Sequence, residues 1–104
     1  MANYHLTKKA LEDFEDIWNY TFEEWSENQA DKYYFLLLDS CQEIAENPHL
    51  GKKYDILTTI LFGYKSYQHI LFYRILSDDE IEIVRILHGR MDLKVNFKRD
   101  HLKL

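Results

Sequence analysis

One cysteine in 104 residues excludes an intramolecular disulfide and points to a reducing setting, the cytoplasm. That residue, Cys41, has apolar neighbours, the surroundings of a core thiol rather than a reactive one. With one proline and three glycines the chain has no low-complexity segment or domain linker. It also lacks a phosphate-cradling glycine loop, a nucleophile elbow and a dinucleotide fingerprint. Long apolar runs are missing too. The longest, Tyr33 to Leu38, is far too short to cross a bilayer, and the opening MANYHLTKKALEDF has no signal-peptide core, so neither secretion nor membrane insertion is expected. The histidines His5, His49, His69, His88 and His101 are scattered, with no pair at ligand spacing, and no metal site or cofactor is expected. Positive charge is scarce in the first half: residues 1–50 hold three lysines against eleven acids, whereas residues 51–104 hold ten basic side chains against seven acidic ones. A formal charge of −5 does not suit a general nucleic-acid binder and leaves room for a local basic patch on the C-terminal half.

What is present suffices for one modest core, with 46% hydrophobic and 15% aromatic residues. A single domain over residues 1–92 is expected, followed by a basic tail, 93–104, that is a last strand, a short helix or a segment ordered by binding. Asn3 to Leu6 is a candidate strand, and Thr7 a candidate cap. From Lys8 to about Ser26, Leu11, Phe14, Trp18, Phe22 and Trp25 recur at spacings of three and four, which predicts an amphipathic helix. Ser26 with Gln29 forms a capping box for a second helix carrying Tyr34, Leu37, Leu38, Cys41, Ile44 and Ala45, which Pro48 ends near Asn47. So short a connection makes the helices antiparallel, and neither buries its stripe without a sheet. Trp18, Phe22, Leu37 and Cys41 are expected in the helix–sheet core, with Trp18→Ala costing roughly 3–5 kcal/mol. Residues 48–55 read as a loop, Ile60 to Tyr67 as a strand in which Gly63 marks a bulge or a close approach.

The stretch HILFYRILSDDEIEIVRILHGRMD, His69 to Asp92, organises the rest: two runs of β-formers flank the turn Ser77-Asp78-Asp79, an antiparallel hairpin. The element order is β-α-α-β-β-β and the class α+β. Alternation puts Ile70, Phe72, Arg74 and Leu76 on one face of the first run and Ile81, Ile83, Arg85 and Leu87 on one face of the second. An even register, Leu76 opposite Ile81, would bring both arginines to the same face. An arginine on an apolar face must meet an anion or an internal acid, or extend to the edge. Arg74, Arg85, His88 and Arg90 are therefore the candidate contact residues, His88 and Arg90 at a strand end beside Gly89, a residue suited to conformations that others resist.

The segments HILFYRI and IVRILHGRMD, with the acidic turn between them, resemble ParE-type toxins of the RelE/ParE toxin–antitoxin superfamily, and the helical hairpin, AENPHLGKKYD and Gly63-Tyr64 fall in the order of that family. The resemblance covers about residues 4 to 92. It implies two N-terminal helices on one face of an antiparallel sheet, with the first strand beside the later ones. It implies a cognate antitoxin as partner, with Tyr64, Tyr67 and Phe72 as apolar anchors. The implied target is DNA gyrase, bound without catalysis through Arg74, Arg85, His88 and Arg90. Superfamily relatives of the RelE type instead cut messenger RNA on the ribosome, and here Arg85, His88 and Arg90 would form the reduced ribonuclease site. A third reading is a member that binds antitoxin and is no longer toxic. Several ribonuclease relatives place a tyrosine at or just after the position of His88, where this chain has Gly89. Its acidity also departs from the commonly basic toxins and shifts weight to apolar burial in any antitoxin interface. Replacing His88 and Arg90 together by alanine is expected to abolish growth inhibition and to leave thermal stability and antitoxin affinity nearly unchanged.

Overall fold

A computed structural model describes residues 2–56 and 59–89, with the backbone alone at residues 55, 56 and 59. Strand β1 (Asn3–Leu6) leads into helix α1 (Lys8–Glu24) through Thr7, whose hydroxyl accepts from Ala10 N at 3.1 Å. The same hydroxyl donates to Val84 O at 2.9 Å, so the cap also ties the helix to the sheet. Ser26 caps helix α2 (Glu27–Glu46) by accepting from Gln29 N. That helix stops at Asn47 because a residue before proline resists the helical conformation, and Pro48–Leu50 follows as one 3-10 turn.

Four strands then run as a meander: β2 (Lys52–Ile56), β3 (Thr59–Ser66), β4 (His69–Ser77) and β5 (Glu80–His88). The sheet order is β1-β5-β4-β3-β2. The expected α+β arrangement of a helical hairpin on a sheet is present, with two corrections. First, the sheet is mixed, since β1 pairs with β5 in parallel, Tyr4 beside Ile81 and Leu6 beside Ile83. The helical hairpin carries the chain away and back, and the meander returns β5 to the side of β1 running the same way. Second, residues 52–55, expected within a loop, belong to strand β2. Lys52 and Lys53 give no β signal of their own; pairing with Gly63 and Phe62 imposes the conformation, and lysine is common on an edge strand because it discourages further pairing.

The core lies between the helices and one sheet face. Ala10, Phe14, Leu37, Cys41 and Ile44 meet Leu71, Tyr73, Ile81, Ile83 and Ile86. Burial pushes the Cys41 thiol up to about 12, so at neutral pH it stays protonated and packs as a small hydrophobe. Leu37 and Cys41 are thus core residues as expected. Phe22 is 46% exposed, however, and Trp18 is only part-buried on the outer side of α1. A smaller cluster of Leu61, Phe72 and Leu87 fills the other face. There Gly63 is a close approach and not a bulge: a Cβ would stand 2.6 Å from Tyr54 Cε1 and 3.1 Å from Phe72 Cε1.

Tyr73 joins the core to the loop after α2. Its hydroxyl accepts from Gly51 N at 2.9 Å and donates to Pro48 O at 2.7 Å. Tyr73→Phe strands both backbone groups and is expected to cost about 1–3 kcal/mol in urea unfolding. A loss below about 0.5 kcal/mol would mean that water replaces the hydroxyl.

The β4–β5 hairpin corrects the expected pairing of Leu76 with Ile81. Beyond the two-residue turn Ser77 pairs with Glu80, but the register shifts between Ile75 and Ser77 and again between Phe72 and Tyr73. Leu76 is the extra residue on β4 and Val84 the extra residue on β5. Between the two irregularities Ile75 faces Ile81 and Tyr73 faces Ile83, on the helix side, while Arg74 pairs with Glu82 on the side away from the helices. After the second, Arg85 turns to α1 and meets Asp13. Arg85 pairs with Phe72, two residues from Arg74 along β4, so the ladder keeps the two arginines diagonal neighbours, while their guanidinium groups are held by different acids, Asp13 and Glu82.

Candidate functional site

Beyond Ile83 no strand among the described residues lies beside the edge of β5, since β1 has ended. The start of α1 covers that edge: Thr7 N donates to Ile83 O, the Thr7 hydroxyl donates to Val84 O, and Asp13 Oδ2 accepts from Ile86 N at 2.9 Å. The same carboxylate holds Arg85, Nε to Oδ2 at 2.8 Å and Nη2 to Oδ1 at 3.1 Å. Arg85 is therefore engaged as a structural tie between helix and sheet. Arg74 pairs with Glu82 on the surface, near the hairpin turn, some five residues or roughly 16 Å along the strand from the rim where His88 sits.

The structure brings His88 to residues that the sequence did not single out. Because the two irregularities lie on opposite strands, they cancel, and His69 at the start of β4 stands opposite His88 at the end of β5, ring centroids 5.4 Å apart. From α2, the Tyr33 hydroxyl lies 2.8 Å from His69 Nδ1 and accepts from Gln68 N at 3.1 Å. The hydroxyl thus links the Gln68 amide at the β3–β4 turn to the His69 ring. Burial, and then the nearby His88, hold the His69 pKa down to about 4 from an ordinary 6.5. Burial also raises the Tyr33 hydroxyl, so both are neutral at pH 7.

That shift makes a prediction. The unfolded chain takes up a proton at His69 below about pH 6.5 and the folded chain only near 4, so the stabilisation is complete above 6.5 and is lost as pH falls through that window. Since His69 is only part-buried, the loss is expected to be on the order of 1–2 kcal/mol. His69→Gln keeps an acceptor for Tyr33 and should flatten the extra slope. Coincident stability profiles for the two proteins between pH 6.5 and 4 would refute the assignment.

The histidine pair forms one wall of an open cleft of ≈ 710 Å³. Asp16, Ile17, Tyr20 and Thr21 of α1 line the facing wall, Trp25 stands at the helix junction, and Gln29 and Gln68 add carboxamides. No lysine or arginine among the described residues lines it. Next to the cleft the hairpin turn Tyr67-Gln68 puts Tyr67 at φ 58°, the one described non-glycine residue with a positive φ, its ring against Tyr33 at 6.1 Å. Gly89, by contrast, has no positive φ, and a Cβ there would find ordinary room, 3.8 Å from Gln68 O. Its N–H donates to Gln68 O and closes the strand end. Arg90 and the tail cations Lys94, Lys98, Arg99 and Lys103 lie outside the described residues.

Of the anchors expected for a partner, Tyr67 is exposed, and Tyr64 is half-buried and donates to Glu43, which raises its pKa. Phe72 is fully buried under Tyr54 and offers no surface as it stands. Among the described residues no group of three or more His, Cys, Asp or Glu is arranged to hold a metal, and no helix is long and apolar enough to cross a membrane.

Two helices on one face of a sheet, with the first strand beside the later ones, are the arrangement that the resemblance to ParE-type toxins of the RelE/ParE superfamily implies. The chain is similar in fold to a solved structure described as the chromosomal ParDE TA system from P. aeruginosa, with a TM-score of 0.71 and 17% identity over 85% of this chain and 96% of that one. The family model described as ParE toxin of type II toxin-antitoxin system, parDE, matches residues 4–93. Toxin ParE1 of Mycobacterium tuberculosis (strain ATCC 25618 / H37Rv) is 33% identical over 95 residues, 91% of this chain and 97% of that protein. Toxin ParE1 of Caulobacter vibrioides (strain ATCC 19089 / CIP 103742 / CB 15) is 33% identical over 99 residues, 92% and 98% of the two chains. The chain belongs to the ParE toxin family of type II toxin–antitoxin systems.

Proposed function

We propose that this toxin acts in the cytoplasm by binding DNA gyrase, with no catalysis of its own, and that a cognate antitoxin silences it. Membership of the ParE family carries this reading. The geometry supports binding over ribonuclease chemistry. Arg85, one of the three residues of a reduced ribonuclease site, is committed to Asp13, and its guanidinium is only slightly exposed. RNA cleavage needs cations to stabilise the extra phosphate charge, and the cleft beside His88 has an acidic side chain and no lysine or arginine among its described lining residues. We assign target contact to the strand-end rim, His88 with Arg90, and antitoxin contact to the exposed ring of Tyr67 and the half-exposed ring of Tyr64. Arg74 is kept as a peripheral target contact.

Purified gyrase with supercoiled plasmid tests the reading: the toxin is expected to accumulate linear cleaved DNA, and His88→Ala with Arg90→Ala is expected to lose that effect while keeping thermal stability. Transcript cuts mapped within translated codons, with gyrase untouched, would replace this reading by the ribonuclease one. Neither effect, with antitoxin binding intact, would identify a non-toxic member.

A further inference from the structure

Three aromatic rings, Tyr20, Trp25 and Tyr33, project into the cleft beside His88 together with the carboxylate of Asp16. A ring face is negative, and a carboxylate near such faces completes a receptor for a cation with an apolar stem. The neighbouring charge has the same sign: Glu23 and Glu24 precede Trp25, Glu27 follows it, and all three are exposed. Of the lysines on the helical side, Lys8, Lys9 and Lys32, none lines the cleft. His69 is neutral at pH 7 and so adds no opposing charge. A phosphate or an acidic peptide would be repelled here, whereas a lysine or arginine would be drawn in, and arginine better suits flat stacking on rings. Trp25 is 75% exposed, a large apolar surface that contributes little to the fold and is free to be covered. At ≈ 710 Å³ the space accommodates more than one side chain, as a peptide segment requires.

We infer that the cleft formed by Asp16, Tyr20, Trp25, Tyr33 and the histidine pair is a docking site for an arginine-bearing, partly apolar segment of a partner protein. The inference deepens the reading of this rim as the target-binding surface and rests on it only for the partner being a protein. In the closed complex, guanidinium stacks on Trp25 or Tyr20 and pairs with Asp16, while apolar neighbours in the segment cover Ile17. It follows that a toxin of acidic character recognises its partner through the partner's positive charge.

The test uses the full chain and three capped pentapeptides, alternating leucine with arginine, glutamine or glutamate, followed by the NMR shift of the Trp25 indole N–H at millimolar peptide. The arginine peptide is expected to bind about tenfold more tightly than the glutamine one, and added salt should erode the difference. Trp25→Ala and Asp16→Asn, each followed through the nearby backbone amides, should remove most of that preference without lowering thermal stability. Equal affinity for all three peptides, or a preference that survives both substitutions, overturns the proposal. So does a stronger response to a short oligothymidylate, which would make the cleft a nucleic-acid site. A full-length variant with Lys94, Lys98, Arg99 and Lys103 changed to serine covers one further occupant. If it gains about tenfold in peptide affinity, the chain's own tail competes for the cleft and the partner reading fails. Because no gyrase is present, peptide preference with an inactive gyrase assay would sink the gyrase reading alone, and the reverse result would sink only the inference.

Discussion

Asp13→Ala is expected to lower the unfolding free energy by about 3–5 kcal/mol, the largest loss for any polar side chain described above. The carboxylate accepts from Arg85 Nε and Nη2 and from Ile86 N, and both side chains of the ion pair are only 12% exposed. Removing it leaves a guanidinium in a poorly solvated place and an unpaired backbone amide on an edge with no neighbouring strand among the described residues. Arg74→Ala is the control: that pair with Glu82 is 51% and 25% exposed, and exposed pairs contribute about 0–1 kcal/mol. Urea unfolding with unchanged slope measures both. If Asp13→Ala costs less than about 1 kcal/mol, the helix–sheet tie is not what closes the β5 edge. An Asp13→Ala, Arg85→Ala double-mutant cycle then isolates the coupling between the two side chains.

Phe14→Ala is expected to cost about 3–5 kcal/mol and Trp18→Ala only about 1–2 kcal/mol. Phe14 is 3% exposed and packs edge-tilted on Tyr34, ring centroids 5.3 Å apart. Trp18 stacks on Phe22 at 5.2 Å and donates to Asp31 at 3.0 Å on the outer side of the hairpin. Thermal or urea unfolding of the two variants side by side decides it, and a loss at Trp18 equal to that at Phe14 would return Trp18 to the core. The reversal from the sequence expectation has a definite cause. At about 100° per residue, Leu11, Trp18, Phe22 and Trp25 form a ridge turned roughly 80° from the face made by Ala10, Phe14, Ile17 and Thr21. Spacing identifies a helix and its ridges; it does not say which ridge the sheet takes. The smaller residues allow the closer approach of α1 to β5, and the larger ones are left towards α2 and solvent.

The candidate site shows the same division. His88 was legible because it ends a run of β-formers next to a glycine, and the turn Asp78-Asp79 already implied His69 as its cross-strand neighbour, a signal present in the sequence and easily overlooked. Tyr33 was not legible as a site residue. On α2 it looks like another member of an apolar stripe, and only the packing of α2 over the β3–β4 turn brings its hydroxyl to His69. Arg85 was legible as a residue in need of an acid, and the acid, 72 positions earlier, was one of eleven in the first half.

By itself the sequence determined the two helices with their Thr7 and Ser26 caps, the stop before Pro48, the β4–β5 hairpin and its turn, and the family, because each rests on local conformational preference or on a contiguous motif. The tertiary structure alone decided that β1 runs parallel to β5, that Lys52–Ile56 is a strand, that Leu76 and Val84 are extra residues, and that Glu82 and Asp13 are the acids that hold Arg74 and Arg85. Those outcomes depend on which partner a strand edge finds and which face a helix covers. Free energies of that kind arise between segments distant in the chain, and no window of sequence contains them.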